Sequence, residues 1–109
     1  MSGEEWVPGQ ARDLAGLVAY QPGSVVSRTI INRREGTLTL FAFDKDEGLS
    51  EHTAPYDAMI YVLEGEALVT VAGSPNSMKG GQGIILPAGK PHSIAAITKF
   101  KMLLAMIRS

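Results

Sequence analysis

From Ser24 onward, short apolar-rich runs are divided by clusters of glycine, proline and charge. The runs are "SVVSRTIIN", "TLTLFAFD", "MIYVLEG", "EALVTVAG", "GIILPAGKPHSIAAI" and "KFKMLLAMI". β-Branched and aromatic residues fill them, and turn residues bound them, a pattern that predicts successive β-strands. Glu64-Gly65-Glu66 predicts a hairpin turn between two of the strands. "SPNSMKGGQG" predicts a turn-rich connection with a short strand near Met78. "ARDLAGLVAY" is the one segment with a helical signal, Leu14 and Leu17 falling at helical spacing. The expected class is therefore all-β, with residues 1–23 as an irregular or helical N-terminal arm and residues 24–109 as the barrel. Many short strands in one small domain favour a barrel or sandwich, which shortens or removes exposed edges.

Two strands are apolar on both faces. In "TLTLFAFD", Leu38 and Leu40 point one way and Phe41 and Phe43 the other, because side chains alternate along a strand. In "FKMLLAMI", Phe100, Met102, Leu104 and Met106 share one face, and Leu103, Ala105 and Ile107 the other. Such strands need cover on both sides. One face fills the barrel, and the other is expected to meet a second copy of the chain in a homodimer, or to lie beneath the N-terminal arm with Trp6 and Leu17. Both covers are compatible.

Composition narrows the function. The chain has 109 residues, enough for one domain with a single core. Its net charge of −1 comes from interspersed acids and bases, so there is no phosphate-tracking surface and no nucleic-acid partner is expected. Cysteine is absent, which excludes disulfides, thiolate metal sites and a cysteine nucleophile. The first residues are acidic and interrupted by Pro8 and Gly9, and no apolar run is long enough to span a bilayer, so the expectation is a cytoplasmic protein without a membrane partner. "GGQG" precedes a strand and not a helix, which argues against a phosphate cradle. No Gly-x-Ser-x-Gly is present to support a serine triad.

The chemistry-bearing residues lie in "GLSEHTAPYDAMIYVLEGE" and "GGQGIILPAGKPHSIA". These segments resemble the first and second motifs of the cupin superfamily, small β-barrels of the jelly-roll type. Gly81, Pro87, Gly89 and His92 match the second motif in register, with Ala96 in place of its final asparagine. In the first motif, counting back from Gly65 puts the histidine positions at His52 and Ala54 and the glutamate position at Ala58. Gly48 lies closer to His52 than the motif's leading glycine does. In relatives that bind metal, the resemblance implies a divalent ion held by three histidines and a carboxylate, a set that suits iron, manganese, nickel or zinc. This chain has alanine at two of those positions, and two imidazoles alone hold an ion weakly.

Asp57 and Tyr56 are the candidates for extra ligands. Alternation sends Asp57 to the opposite wall from Ala58 unless a bulge near Pro55 turns it inward. Tyr56 shares the parity of His52. Ile60 shares the parity of Ala58 and is expected in the same cavity, with Met102 and Met106 as adaptable apolar liners; ordinary core packing is the plainer reading of all three. The glycines and prolines of both motifs are read as turn chemistry.

Three functions remain open. The first is a small-molecule-binding or sensing barrel with its pocket around His52 and His92 and metal weak or absent. The second is a metal-dependent enzyme of dioxygenase, isomerase or decarboxylase type using the same histidines. The third is a dimeric interaction module with a vestigial pocket.

Overall fold

Alternation along the fourth strand shows how the barrel is built: Ala58, Ile60 and Val62 are buried while Asp57, Met59 and Tyr61 are exposed. The computed structural model describes residues 5–108. Its elements are a short 3-10 turn, Leu14–Leu17, then β1 (Val25–Arg33), β2 (Gly36–Phe43), β3 (Gly48–His52), β4 (Asp57–Glu64), β5 (Glu66–Val71), β6 (Ser74–Lys79), β7 (Gly83–Leu86), β8 (His92–Ala96) and β9 (Phe100–Ile107). They form two antiparallel sheets, ordered β1-β2-β9-β4-β7 and β3-β8-β5-β6. The architecture is an all-β jelly-roll barrel. The predicted connection around Met78 turns out to be a full strand, β6, with Pro75 inside it. A proline cannot donate to a ladder, and β6 tolerates one because it lies at the edge of its sheet.

The core lies between the sheets. Phe43, Ile60, Val62, Val69, Phe100 and Met102 are fully buried there, and each such side chain contributes about 1.5–3 kcal/mol relative to exposure. Phe43 and Phe100 are cross-strand partners whose rings stack at 4.4 Å.

A second apolar cluster lies outside the barrel. Leu17 and Val18 of the arm bury Leu40 and Ala42 on the outer face of the five-stranded sheet, with Leu103 alongside. Polar contacts hold the arm in place. The Arg28 guanidinium donates to the Leu17 carbonyl at 3.2 Å, the Tyr20 hydroxyl donates to the Glu64 carboxylate at 2.7 Å, and the Gly23 N–H donates to Asp44 at 2.7 Å. This cover reaches only one end of the face.

Candidate functional site

His52 ends β3 and His92 begins β8, and the two residues are direct partners in the antiparallel ladder. The pairing register slips between Leu49 and His52: three steps along β3 match two along β8, from Ile94 to His92. That bulge has a consequence for facing. Leu49 and His52 are an odd number of residues apart, and strict alternation would put them on opposite faces. The extra residue in the bulge lets both line the same cavity.

The neighbouring loops are pinned to each other. Pro87-Ala88-Gly89-Lys90 is a turn closed by the Lys90 N–H donating to the Pro87 carbonyl at 3.2 Å, with Gly89 at φ +77°, a third-position conformation that favours glycine. The Gly89 N–H donates to the Ala54 carbonyl, and the Ala88 N–H to the Asp57 carboxylate, both at 2.8 Å. The turn before His92 is therefore tied to the loop after His52, which holds the two ring-bearing segments together.

The rings meet edge to face, with centroids 4.3 Å apart and Nε2 atoms 3.1 Å apart. His92 is buried and His52 is exposed, so the pair runs from the barrel interior to its mouth. The Nδ1 of His52 lies 3.0 Å from the Ser50 carbonyl, and that of His92 lies 3.3 Å from the Lys90 carbonyl. A carbonyl can only accept, so these contacts place a proton on each Nδ1. Both Nε2 lone pairs then face each other, an arrangement that calls for a proton or another electrophile between them. A single shared proton satisfies it, with one ring cationic and donating to the other. A second proton is resisted.

Burial is the main cause lowering the His92 pKa from its ordinary value of 6.5, followed by the charge on His52, while the Lys90 carbonyl opposes the shift. A histidine whose folded pKa is lowered favours the neutral ring in the native state. Its contribution to stability is complete above about 6.5 and is lost as pH falls from there through the lowered value. An NMR titration of the imidazole resonances should therefore place the His92 midpoint below 6.5, with stability declining over the same interval. A midpoint above the ordinary value would contradict the burial argument.

The pair forms one end of a small cavity of about 60 Å³. Ala54 and Ala58 adjoin it, and Leu49, Leu86, Ile94, Met102, Leu104 and Met106 complete the wall, so among the described residues the histidines are its only polar side chains. Met102 and Met106 thus lie at the cavity. Ile60 does not line it: it is fully buried in the core two residues further along β4 from Ala58. Asp57 is exposed, and one of its carboxylate oxygens is engaged by the Ala88 N–H. Tyr56 is also exposed and does not line the cavity. Sequence reasoning passed over Leu86 and Ile94 as liners, although the parity of Ile94 with His92 could have found that one; Leu86 reaches the cavity as the ladder partner of Ala58. Leu49 was hidden by the bulge.

The four-ligand centre implied by the motif needs two more donors than the histidine pair supplies. Ala54 and Ala58 stand beside the imidazoles and carry no donor atoms, and no group of three or more His, Cys, Asp or Glu able to hold a metal occurs among the described residues. These residues do not fit a tightly held four-ligand ion.

A family model described as "Cupin domain" matches residues 39–107, which takes in β3 to β8 and both histidines. The chain belongs to the cupin superfamily. Among solved structures, this cupin is similar to a conserved Streptococcus pyogenes protein of unknown function, at 31% identity over 97% of this chain and 93% of that one, with a TM-score of 0.91. A cupin superfamily protein from Desulfitobacterium hafniense covers 97% of both chains at 25% identity, with a TM-score of 0.90. A cupin barrel protein from Leptotrichia buccalis is 38% identical over 86% of this chain but only 46% of that one, with a TM-score of 0.83. A search of curated proteins found no match.

Proposed function

We propose that this cupin binds or senses a small molecule that has an apolar body and one hydrogen-bonding head. The observation that carries this reading is the composition of the cavity wall, in which two converging imidazoles are the only polar side chains among the described residues. Pockets of this kind draw affinity from apolar burial and orientation from a few polar groups. A protonated pair donates to a carboxylate, and a neutral ring accepts from an alcohol or phenol. The cavity of about 60 Å³ favours a ligand of few heavy atoms, although Met102 and Met106 can swing to enlarge it.

Thermal-shift screening with short aliphatic acids, alcohols, phenols and sugars tests the reading. A ligand present at about 100 times its Kd should stabilise the fold by about 2.7 kcal/mol, and His92→Ala should abolish the shift. If no compound raises Tm, or if His92→Ala leaves the shift intact, the reading fails.

The second reading is a metal-dependent enzyme, and the pair of Nε2 lone pairs 3.1 Å apart favours it. Two imidazoles would hold a transition ion in an exchangeable way. Elemental analysis of untagged protein separates the two readings: about one ion per chain, lost in His52→Ala, supports the enzyme, and a content far below that supports the binding barrel.

A further inference from the structure

The wall of the histidine cavity carries sulfur as well as nitrogen. Met106 lies on β9 directly across the ladder from Ala58, the position where the motif would supply a carboxylate. Ala58 and Met106 line the cavity together with His52 and His92. Met102 also reaches the wall, but its ladder partner is Val62, four residues further along β4. Around Ala58 the available donors are therefore two imidazole nitrogens and one thioether, all of them neutral.

We propose that this cavity is a site for a single monovalent copper ion, held by Nε2 of His52, Nε2 of His92 and the thioether of Met106. The inference rests on the metal-holding reading of the histidine pair and names the ion. It departs from the divalent, carboxylate-bearing centre that the motif implies, and three observations support the departure.

The first is the softness of the donor set. A thioether is a poor ligand for hard divalent ions and a good one for copper(I). Zinc and iron–sulfur clusters take their sulfur as thiolate, and the chain has no cysteine.

The second is charge. An ion entering this wall meets no carboxylate among the described residues. The cost of desolvating an ion grows with the square of its charge, so it is roughly a quarter as large for a monovalent ion as for a divalent one of equal size.

The third is that the rings already hold a ligating tautomer. Nδ1 of His52 donates to the Ser50 carbonyl at 3.0 Å and Nδ1 of His92 to the Lys90 carbonyl at 3.3 Å, which leaves a lone pair on each Nε2. Metal-bound histidines are oriented by the same kind of contact. The Nε2 atoms are 3.1 Å apart, so an ion bonded to both at about 2.0 Å would subtend roughly 100° between them. A bent pair leaves room for a third donor. Met106 is unbranched and only partly buried, so its sulfur can swing to the ion.

The test is anaerobic titration of the full, untagged chain with copper(I) in ascorbate, against bathocuproine disulfonate as competing chelator. One copper(I) per chain is expected, retained against an equal amount of zinc or manganese, with both nitrogen and sulfur in its X-ray absorption spectrum. His52 is exposed, so His52→Ala should fold normally by circular dichroism and lose the site. Met106→Leu conserves the volume of the wall. It should remove the sulfur signal and weaken binding by at least about 10-fold, the smallest loss typical even of residues that only orient a metal ligand. Met102→Leu is the control and should change neither readout. Displacement of the copper by zinc or manganese overturns the proposal while the broader metal reading stands. No stoichiometric uptake of any metal overturns both. A Met106→Leu protein with unaltered affinity and sulfur signal also overturns the proposal. The organic-ligand screen is independent of all these results.

Discussion

Replacing Ala54 by histidine and Ala58 by glutamate together is expected to convert this barrel into a tight divalent-metal binder. Both alanines line the same cavity as His52 and His92, and Ala58 is buried against the β9 residue Met106, its ladder partner. The paired change raises the donor count from two to four and supplies the carboxylate that the present wall lacks. Catalytic centres of this type commonly use three protein ligands, so the variant moves from below that number to above it.

Two readouts are expected. Without metal, the variant should be destabilised by several kcal/mol, because a carboxylate would lie in an apolar cavity with no partner. With zinc or manganese at about 1,000 times the new Kd, about 4 kcal/mol should return through linkage. About one ion per chain should survive gel filtration, and the wild type should retain far less. Failure of the variant to take up metal would mean that Ala54 and Ala58 do not stand where the motif register puts them.

Gly65→Ala is expected to be the most damaging glycine-to-alanine change among the described glycines. Gly65 joins β4 to β5 at φ +81°, a region that side-chain-bearing residues rarely occupy. A Cβ there would run into the Lys99 carbonyl oxygen and lie 2.7 Å from the Phe100 Cα. The obstacles are mostly backbone, so no rotamer change relieves them. Phe100 is itself fully buried and stacked on Phe43, so a shift of the Lys99–Phe100 segment disturbs the centre of the core. The conformational penalty is about 1–2 kcal/mol and the forced movement of a packed strand adds about 1–3 more. Urea denaturation should therefore show a loss of at least about 3 kcal/mol. A near-wild-type midpoint would show that the β4–β5 hairpin can adopt another turn at little cost.

Several features of the site could be read from local pattern because their causes are local. The alternation of Ala58, Ile60 and Val62 with Asp57, Met59 and Tyr61 reflects the two-residue period of a strand, so the outward placement of Asp57 followed from its position next to Ala58. Gly65 and Gly89 announced turns because only glycine takes up their positive φ freely. Ile60 went astray for a different reason. Parity predicts which wall a side chain faces, but the depth at which a cavity closes depends on what packs from the other sheet.

By itself, then, the sequence determined the all-β class, the family motifs and the alanines beside the histidine positions, since strand period, turn conformation and residue identity are properties of neighbouring residues. The tertiary structure decided three matters that depend on contacts distant in the chain. The bulge between Leu49 and His52 turned both residues into one cavity, because a ladder slip exists only relative to the partner strand β8. The 3.1 Å approach of the imidazoles came from loops tied together by Ala54, Asp57, Ala88 and Gly89. The split of the outer face into an arm-covered part and an uncovered part was set by where Leu17 and Val18 pack on Leu40 and Ala42, and no local pattern specifies where one segment comes to rest on another.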